Sequence, residues 1–402
     1  MMEAAVYAIA TMDTKGEELA FVADRLRAAG VRVRTVDVGT QGPPTDAADI
    51  SREAVLRDQA LPTVDDRGSA VTAMGEALKN YLVEAARQGH VSGVLGIGGS
   101  GGTALITAAM RALDIGLPKL MVSTMASGNT APYVDCSDIT MMYSVVDVAG
   151  LNAVSQRVLA NAANAMAGMV THDVPARPER VSIGMTMFGV TTPCVTMVRQ
   201  QLETAGYDCL VFHATGTGGR AMEHLVESQL IRGVLDITTT EVADEVVGGV
   251  FPAGPHRFEA LLRQGIPLVL SLGAVDMVNF GARSTVPAEF GDRLLHVHNA
   301  QVTLMRTTVA ENRAIARWIA TKLNASQTPY TLLIPEKGVS MLDAPGQPFY
   351  APETDEALFS ELEAQLRPQP GQQCLRLPYH INDAEFANAL VTHFHQLVDR
   401  QT

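Results

Sequence analysis

Aromatic side chains make up only 5% of the 402 residues, with a single tryptophan, so recognition by stacked rings is not a theme of this chain. Cysteine is equally sparse. Cys136, Cys194, Cys209 and Cys374 are widely spaced, with no C-x-x-C pair, which removes the zinc-knuckle and thioredoxin patterns. Reduced thiols in a cytoplasmic protein are expected. The first residues, MMEAAVYAIATMDTKGEE, have no basic stretch and reach acids early, so no secretory signal is expected. No apolar run approaches the ~20 residues a membrane helix needs, and no membrane partner is expected. Lysine and arginine number 30 against 43 aspartates and glutamates, a net charge of −13. Phosphate backbones would be repelled at long range, so no nucleic-acid partner is expected. Small phosphorylated ligands stay open, because backbone amides at a helix start bind them whatever the net charge.

What the chain does have is 34 glycines and 47% apolar residues, enough for more than one core at this length. Short apolar runs recur at VYAIA, VRVRTVDV, GVLGIGG, KLMVST and ITMMYSVV. After the polar bridge THDVPARPER (171–180) they restart as VSIGMTMFG, YDCLVFHA, GVLDIT, PLVLSLGA and YTLLIPE. Segments with helical spacing lie between them, such as EELAFVADRLRAAG and TPCVTMVRQQLETAG. Apolar strands alternating with amphipathic helices specify βαβ units around parallel sheets. The expected fold is α/β: two Rossmann-like doubly wound domains, 1–175 and 176–402, with an interdomain cleft. The segment 40–70, with Pro43, Pro44 and Pro62, reads as an irregular excursion. The proline-dotted stretch 335–372 reads as a loop-rich tail, and 382–401 as a terminal helix.

Ligands of open parallel sheets bind beyond the carboxyl ends of the strands, so those positions carry the candidates. In GVLGIGGSGGTALITAAM a strand runs through Gly98, Gly99, Ser100, Gly101, Gly102 and Thr103 straight into a helix. Glycines let the backbone approach an anion, and the free N–H groups of the helix start favour phosphate. It is not a Walker loop, since GxxxxGK[ST] is absent, nor a clean dinucleotide fingerprint. Tight strand–helix packing is the alternative reading. Thr11, Asp13, Thr14 and Lys15 follow the first strand, where Asp13 could instead cap a helix. Ser127, Gly128 and Asn129 follow the fourth and suit a ligand loop or a turn.

The second half repeats this grammar. Thr191 and Thr192 follow one strand, and Thr215, Gly216, Thr217, Gly218 and Gly219 form a second candidate phosphate cradle. Arg257 and Arg306 are candidates for substrate anions. His256, His298 and Asp276 are candidates for acid–base work, the histidines because their unperturbed pKa lies near 7. Glu336 and Lys337 join them at a strand end. His296 and His298 are one residue apart, which on a strand puts both imidazoles on one face, as a metal site could use or an exposed strand could carry idly. Cys194, in a loop after a strand, is a nucleophile candidate for which the sequence implies no partner.

Several longer motifs carry a resemblance: AIATMDTKGEE, GIGGSGGTALITAAMRALDIGLPKLMVSTMASGNTAPYV, SIGMTMFGVTTPCV, GVLDITTTEVADEVVGG, LGAVDMVNFG and HNAQVTLMRTT. Over nearly the whole chain they resemble the bacterial family similar to the N-terminal part of the plant tobamovirus-resistance protein, an inhibitor of viral RNA replication. It is called an ATP-binding-domain family. The resemblance implies a two-domain Rossmann-like fold, ATP as cofactor, a homodimer, and nucleotide contacts at 11–15, 98–103 and 127–129; Mg2+ is a candidate companion of the ATP. The functional expectation is an ATP-binding enzyme acting on a small anionic metabolite. The alternatives are a nucleotide-dependent regulatory module, or a metal-dependent lyase or hydrolase using the second half.

Overall fold

AVYAIA is buried at all six positions, Ala5–Ala10, as a strand covered on both faces must be. It is an interior strand of the first of two units, Met1–Arg177 and Pro178–Thr402, in a computed structural model of the chain. The structure describes residues 3–57, 59, 61, 67–172 and 180–400. Most of the bridge expected between the halves, with the 175/176 boundary inside it, lies outside these residues, as does Pro62.

In the first unit the order is β1 (Ala5–Ala10), α1 (Met12–Ala28), β2 (Val33–Asp37), α2 (Arg52–Leu56), α3 (Arg67–Arg87), β3 (Val91–Gly98), α4 (Ser100–Met110), β4 (Lys119–Ser123), α5 (Ala131–Val134), β5 (Thr140–Tyr143) and α6 (Ala153–Thr171). The strands form a parallel sheet in the order β2-β1-β3-β4-β5. Helices α3 and α4 close one face over Ile9, Val94 and Met121. Helices α1 and α6 close the other over Val6, Leu95 and Val122. The Ala-rich α6 starts where Asn152 accepts from the amides of Val154 and Ser155, a capping box completed by Ser155.

The second unit runs β6 (Ser182–Met187), α7 (Thr192–Thr204), β7 (Asp208–His213), α8 (Thr217–Glu227), β8 (Gly233–Thr238), α9 (Thr240–Val247), α10 (Glu259–Gln264), β9 (Leu268–Gly273), β10 (Met277–Phe280), β11 (Leu295–Asn299), β12 (Val302–Arg306), α11 (Val309–Asn324), β13 (Thr331–Pro335), α12 (Pro352–Gln365), β14 (Gln373–Leu377) and α13 (Ala384–Asp399). Its main sheet is parallel, ordered β14-β13-β9-β8-β6-β7. The doubly wound α/β fold expected from the sequence is present in both units.

Two features depart from the sequence reading. A three-stranded antiparallel sheet, β10-β12-β11, is inserted after β9. The stretch 335–372 is not merely loop, since α12 occupies fourteen residues of it with Pro352 in its first turn, where a missing N–H costs nothing. No described helix is long and apolar enough to cross a membrane.

Candidate functional site

From β1 the chain of the first unit crosses to β2 on one side and, by way of β3, to β4 and β5 on the other. That reversal leaves a crevice between the loops after β1 and β3, the usual ligand position in a sheet of this order. A cleft of about 410 Å3 lies at those loop ends. Thr11, Asp13, Thr14 and Lys15 line it from the first loop, and Gly99, Ser100, Gly101 and Gly102 from the second. Eight of the residues expected to hold a nucleotide are thus brought together.

The glycines divide by role. A Cβ on Gly98 would stand 2.7 Å from the Thr103 amide nitrogen and 2.8 Å from the Gly102 carbonyl carbon, so Gly98 is required where β3 meets α4. Thr103 is fully buried, its hydroxyl 2.6 Å from that of Ser123. Both shape the loop without lining the cleft. At Gly101 a Cβ would meet nothing within 4 Å, and at Gly99 and Gly102 only atoms 3.8 Å or more away. Packing does not demand glycine at these three positions. Gly99 is the N-cap of α4 and has no side chain to cap it, and the first helical bond runs from the Thr103 amide to the Gly99 carbonyl at 2.8 Å. The amides of Ser100, Gly101 and Gly102 therefore have no acceptor within the helix, and they carry the positive end of its dipole.

The rest of the cleft differs from expectation. Ser127, Gly128 and Asn129 do not line it; Thr124 and Met125 of the same loop do. Asn129 instead accepts from the Ala131 amide as part of a turn. Asp13 does not cap α1, whose N-cap is Thr11; its carboxylate accepts from the Gln41 amide at 3.1 Å. Lys15 leaves helical geometry (φ −134°, ψ 26°), and its ammonium donates to the Val148 carbonyl. That acceptor is neutral, and among the described residues no carboxylate forms an ion pair with Lys15. Asp147, beside Val148, adds a second carboxylate to the lining, and nothing in its surrounding sequence singled it out.

In the second unit the reversal of strand order falls between β6 and β8, whereas the second glycine turn follows the edge strand β7, and at that turn the chain fills its own site. The Glu241 carboxylate accepts from the amides of Gly216 (2.7 Å) and Gly219 (3.1 Å). Buried Arg257 pairs with Glu241 at 3.1 Å, Glu223 at 2.8 Å and Asp236 at 2.8 Å. The candidate cradle and Arg257 are thus inside an ion cluster, where a substrate anion has no room. Gly218 is a packing residue, since a Cβ there would overlap the His213 carbonyl oxygen. Thr191 is buried against Thr238, and the hydroxyls of Thr192 and Thr215 donate to the nearby carbonyls of Phe188 and His213. The chain records Thr217 as the first residue of α8.

The candidate acid–base residues are dispersed. His256 is exposed and pairs with Glu259 at 3.0 Å. His298 sits at a bulge in β11 between Val297 and Asn299, which breaks the alternation that would have set it beside His296. Among the described residues, no group of three or more His, Cys, Asp or Glu side chains is placed to hold a metal. Cys194 is buried, and burial pushes its thiol up, away from the thiolate a nucleophile needs. Arg306 is interior too, donating to Asp355 at 2.6 Å and to the Phe349 carbonyl at 2.8 Å.

Asp276 and Asp343 complete the Arg306 cluster, three carboxyls around one guanidinium. Burial, reinforced by the charge of Asp343, pushes Asp276 up to about 7 against the pull of Arg306. Burial likewise pushes Asp355 up to about 8. The unfolded chain ionises such groups near 3.8, so between about pH 4 and 8 the folded chain holds protons that the unfolded chain has lost. Stability contributed by these two groups falls as pH rises through that window and levels off above it. Asp276→Asn removes one of them. Its urea midpoint should fall less than the parent's between pH 5 and pH 8, and equal slopes would refute the assignment.

Residues 4–175 match the family described as "Uncharacterised protein family (UPF0261) N-terminal domain", and residues 180–398 match its C-terminal domain. A UPF0261 protein of Mesorhizobium japonicum is 53% identical, over 96% of this chain and 97% of its own. Another, of Rhizobium meliloti, is 52% identical over 98% and 99%. The ToMV resistance protein Tm-1(GCR237) of Solanum lycopersicum is 48% identical over 97% of this chain but only 55% of its own length. Among solved structures, a monoacylglycerol lipase of Paleococcus ferrophilus aligns with 55% of this chain and 96% of its own at 10% identity, with a TM-score of 0.29, too low to carry an argument.

Proposed function

The chain belongs to the UPF0261 family, and from that premise we propose that its first unit binds ATP at the crevice between β1 and β3, as cosubstrate of an enzyme acting on a small anionic metabolite. The observation that carries the reading is the start of α4. Three glycines stand there without a packing reason, and the amides of Ser100, Gly101 and Gly102 have no acceptor within the helix. A phosphate supplies what both lack: an acceptor for the amides and a body that needs the space a Cβ would take. Lys15 adds positive charge, and the hydroxyls of Thr11, Thr14 and Ser100 add donors.

The two carboxylates of the lining, Asp13 and Asp147, would repel a bare polyphosphate. They suit Mg2+, a hard cation commonly held by one or two carboxylates plus phosphate oxygens. ATP itself, rather than another phosphate ester, is the ligand implied by the sequence resemblance. The test is calorimetric titration of ATP into the purified protein with and without Mg2+. Saturable binding that tightens with Mg2+ is expected, followed by ATP consumption once an acceptor metabolite is present. Failure of ATP to bind in either condition would sink the reading. Binding without turnover across a broad panel of organic acids would favour a nucleotide-controlled module instead.

A further inference from the structure

The second unit has a cavity that the nucleotide reading does not use. It measures about 560 Å3 and opens at the carboxyl end of β13, where a parallel sheet places ligands. Glu336 and Lys337, picked out from the sequence by their position after this strand, line it together with Asp355.

The loop that follows β13 is pinned from within. Gly338, at φ +124°, would clash through a Cβ with the Asp343 carbonyl oxygen. The Val339 amide donates to Asp343 at 2.9 Å, and the Ser340 hydroxyl to Asp276 at 2.8 Å. His380 closes the wall. Its Nδ1 accepts from the Asn382 amide, which leaves the proton on Nε2 to donate to the Ser340 carbonyl at 2.9 Å. That ring is committed to structure.

Two groups facing the cavity are not committed. The Lys337 ammonium has no ion-pair or hydrogen-bond partner among the described residues. Asp355 is 5% exposed. Its Oδ1 is taken by Arg306, and its Oδ2 has no hydrogen-bond partner among the described residues. The acids beside them are occupied. Asp383 accepts from the His380 amide, and Glu336 faces Arg376 at 3.9 Å. The remaining wall includes Pro345, Pro352 and the half-exposed ring of Tyr350.

We propose that this cavity binds a small 2-oxo carboxylate, its carboxylate paired with Lys337 and its oxo oxygen accepting a hydrogen bond from the Asp355 carboxyl at Oδ2. The ligand class follows from the two free groups, one cationic donor and one neutral donor beside an apolar wall. Asp355 can donate because burial keeps its proton near neutral pH. Arg306 from β12, Asp276 from the loop after β9 and Asp343 from the loop after β13 surround it. Asp383 and His380 face it from the start of α13, and Lys337 and Glu336 from the end of β13. Raising the pH through about 8 ionises Asp355, which removes the donor and sets a like charge against the ligand.

The proposal does not depend on the nucleotide site, and its test omits nucleotide. Pyruvate, 2-oxobutyrate and 2-oxoglutarate are titrated into the full chain at pH 7, with acetate and inorganic phosphate as comparisons. At least one oxo acid should saturate, with acetate at least tenfold weaker because it lacks the oxo oxygen. Lys337→Met, a change at an exposed side chain, should weaken the oxo acid at least tenfold while leaving the unfolding midpoint unchanged. Between pH 7 and pH 9 the parent should lose several-fold in affinity. Asp355→Asn, which keeps a donor but cannot ionise, should lose much less. The proposal is overturned if no oxo acid binds, if phosphate binds and the oxo acids do not, or if Lys337→Met binds as the parent does.

Discussion

Replacing Gly101 with valine is expected to weaken ATP binding by two orders of magnitude or more while leaving the protein as stable as before. The two halves of that expectation have separate causes. Stability is spared because a Cβ at this position meets nothing within 4 Å. Gly101 lies in the first turn of α4, where valine is a somewhat better helix residue than glycine, by a few tenths of a kcal/mol. Binding is lost because the branched side chain stands where the phosphate must approach the amides of Ser100, Gly101 and Gly102. The contrasting variant is Gly98→Ala, whose added methyl would press on backbone atoms at 2.7–2.8 Å. Backbone cannot give way as a side-chain tip can, so this smaller change should destabilise the first unit by roughly 1–3 kcal/mol, the usual cost of overpacking. Calorimetry with ATP and urea unfolding of both variants check the pair. If Gly101→Val binds ATP as tightly as the parent, the phosphate is not at the start of α4.

Arg257→Ala should produce the largest loss of stability in the second unit. The guanidinium is fully buried and is the partner of Glu223, Asp236 and Glu241 together. Removing one member of a buried ion pair typically costs about 3–5 kcal/mol, because the remaining charge stays buried. For a unit of this size that corresponds to a fall of roughly 10 °C in its unfolding temperature. The variant should also acquire a pH dependence. Burial already pushes Glu223 and Asp236 up, and Arg257 opposes that shift. Without the guanidinium these carboxyls take protons more readily, so the penalty shrinks as pH falls. The deficit against the parent, read from urea midpoints, should be smaller at pH 5 than at pH 8. Arg257→Lys should recover only part of the loss, since a point charge cannot fork to three carboxylates. A midpoint equal to the parent's in Arg257→Ala would show that the cluster contributes nothing.

The sheet strands were legible because each is an apolar run ended by small or polar residues. All five of β1 to β5, and β6 to β9 with β13, fall on runs visible in the sequence. The antiparallel insertion was not, because MVNF is four residues long and LHVHN is mostly exposed, so neither repeats a clear period. Helix α12 has a readable start in Pro352, Glu353 and Asp355, obscured by the prolines around it. The glycine loop was legible as a strand-to-helix turn because its requirement is local: strand, glycines, helix. Its counterpart at 216–219 has nearly the same local form, and its actual occupant, Glu241, lies 25 residues from Gly216. The Asp355 partner of Arg306 is 49 residues away, and Lys15 meets Val148 across 133. Pairings at those separations leave no local pattern to read.

The Glu241 carboxylate has a consequence for how the chain sorts its ligands. A group tethered beside its own amides acts at an effective concentration that commonly reaches the millimolar range for a loose tether. It is far higher for one held rigidly in a closed interior. Free phosphate or nucleotide must compete against that standing occupant before touching Gly216 or Gly219. The second unit thus carries a built-in competitor at its glycine turn, while among the described residues no side chain accepts from the α4-start amides of the first. A chain with two similar glycine turns can therefore present one stoichiometric nucleotide site rather than two, and titration should saturate at a single equivalent per chain.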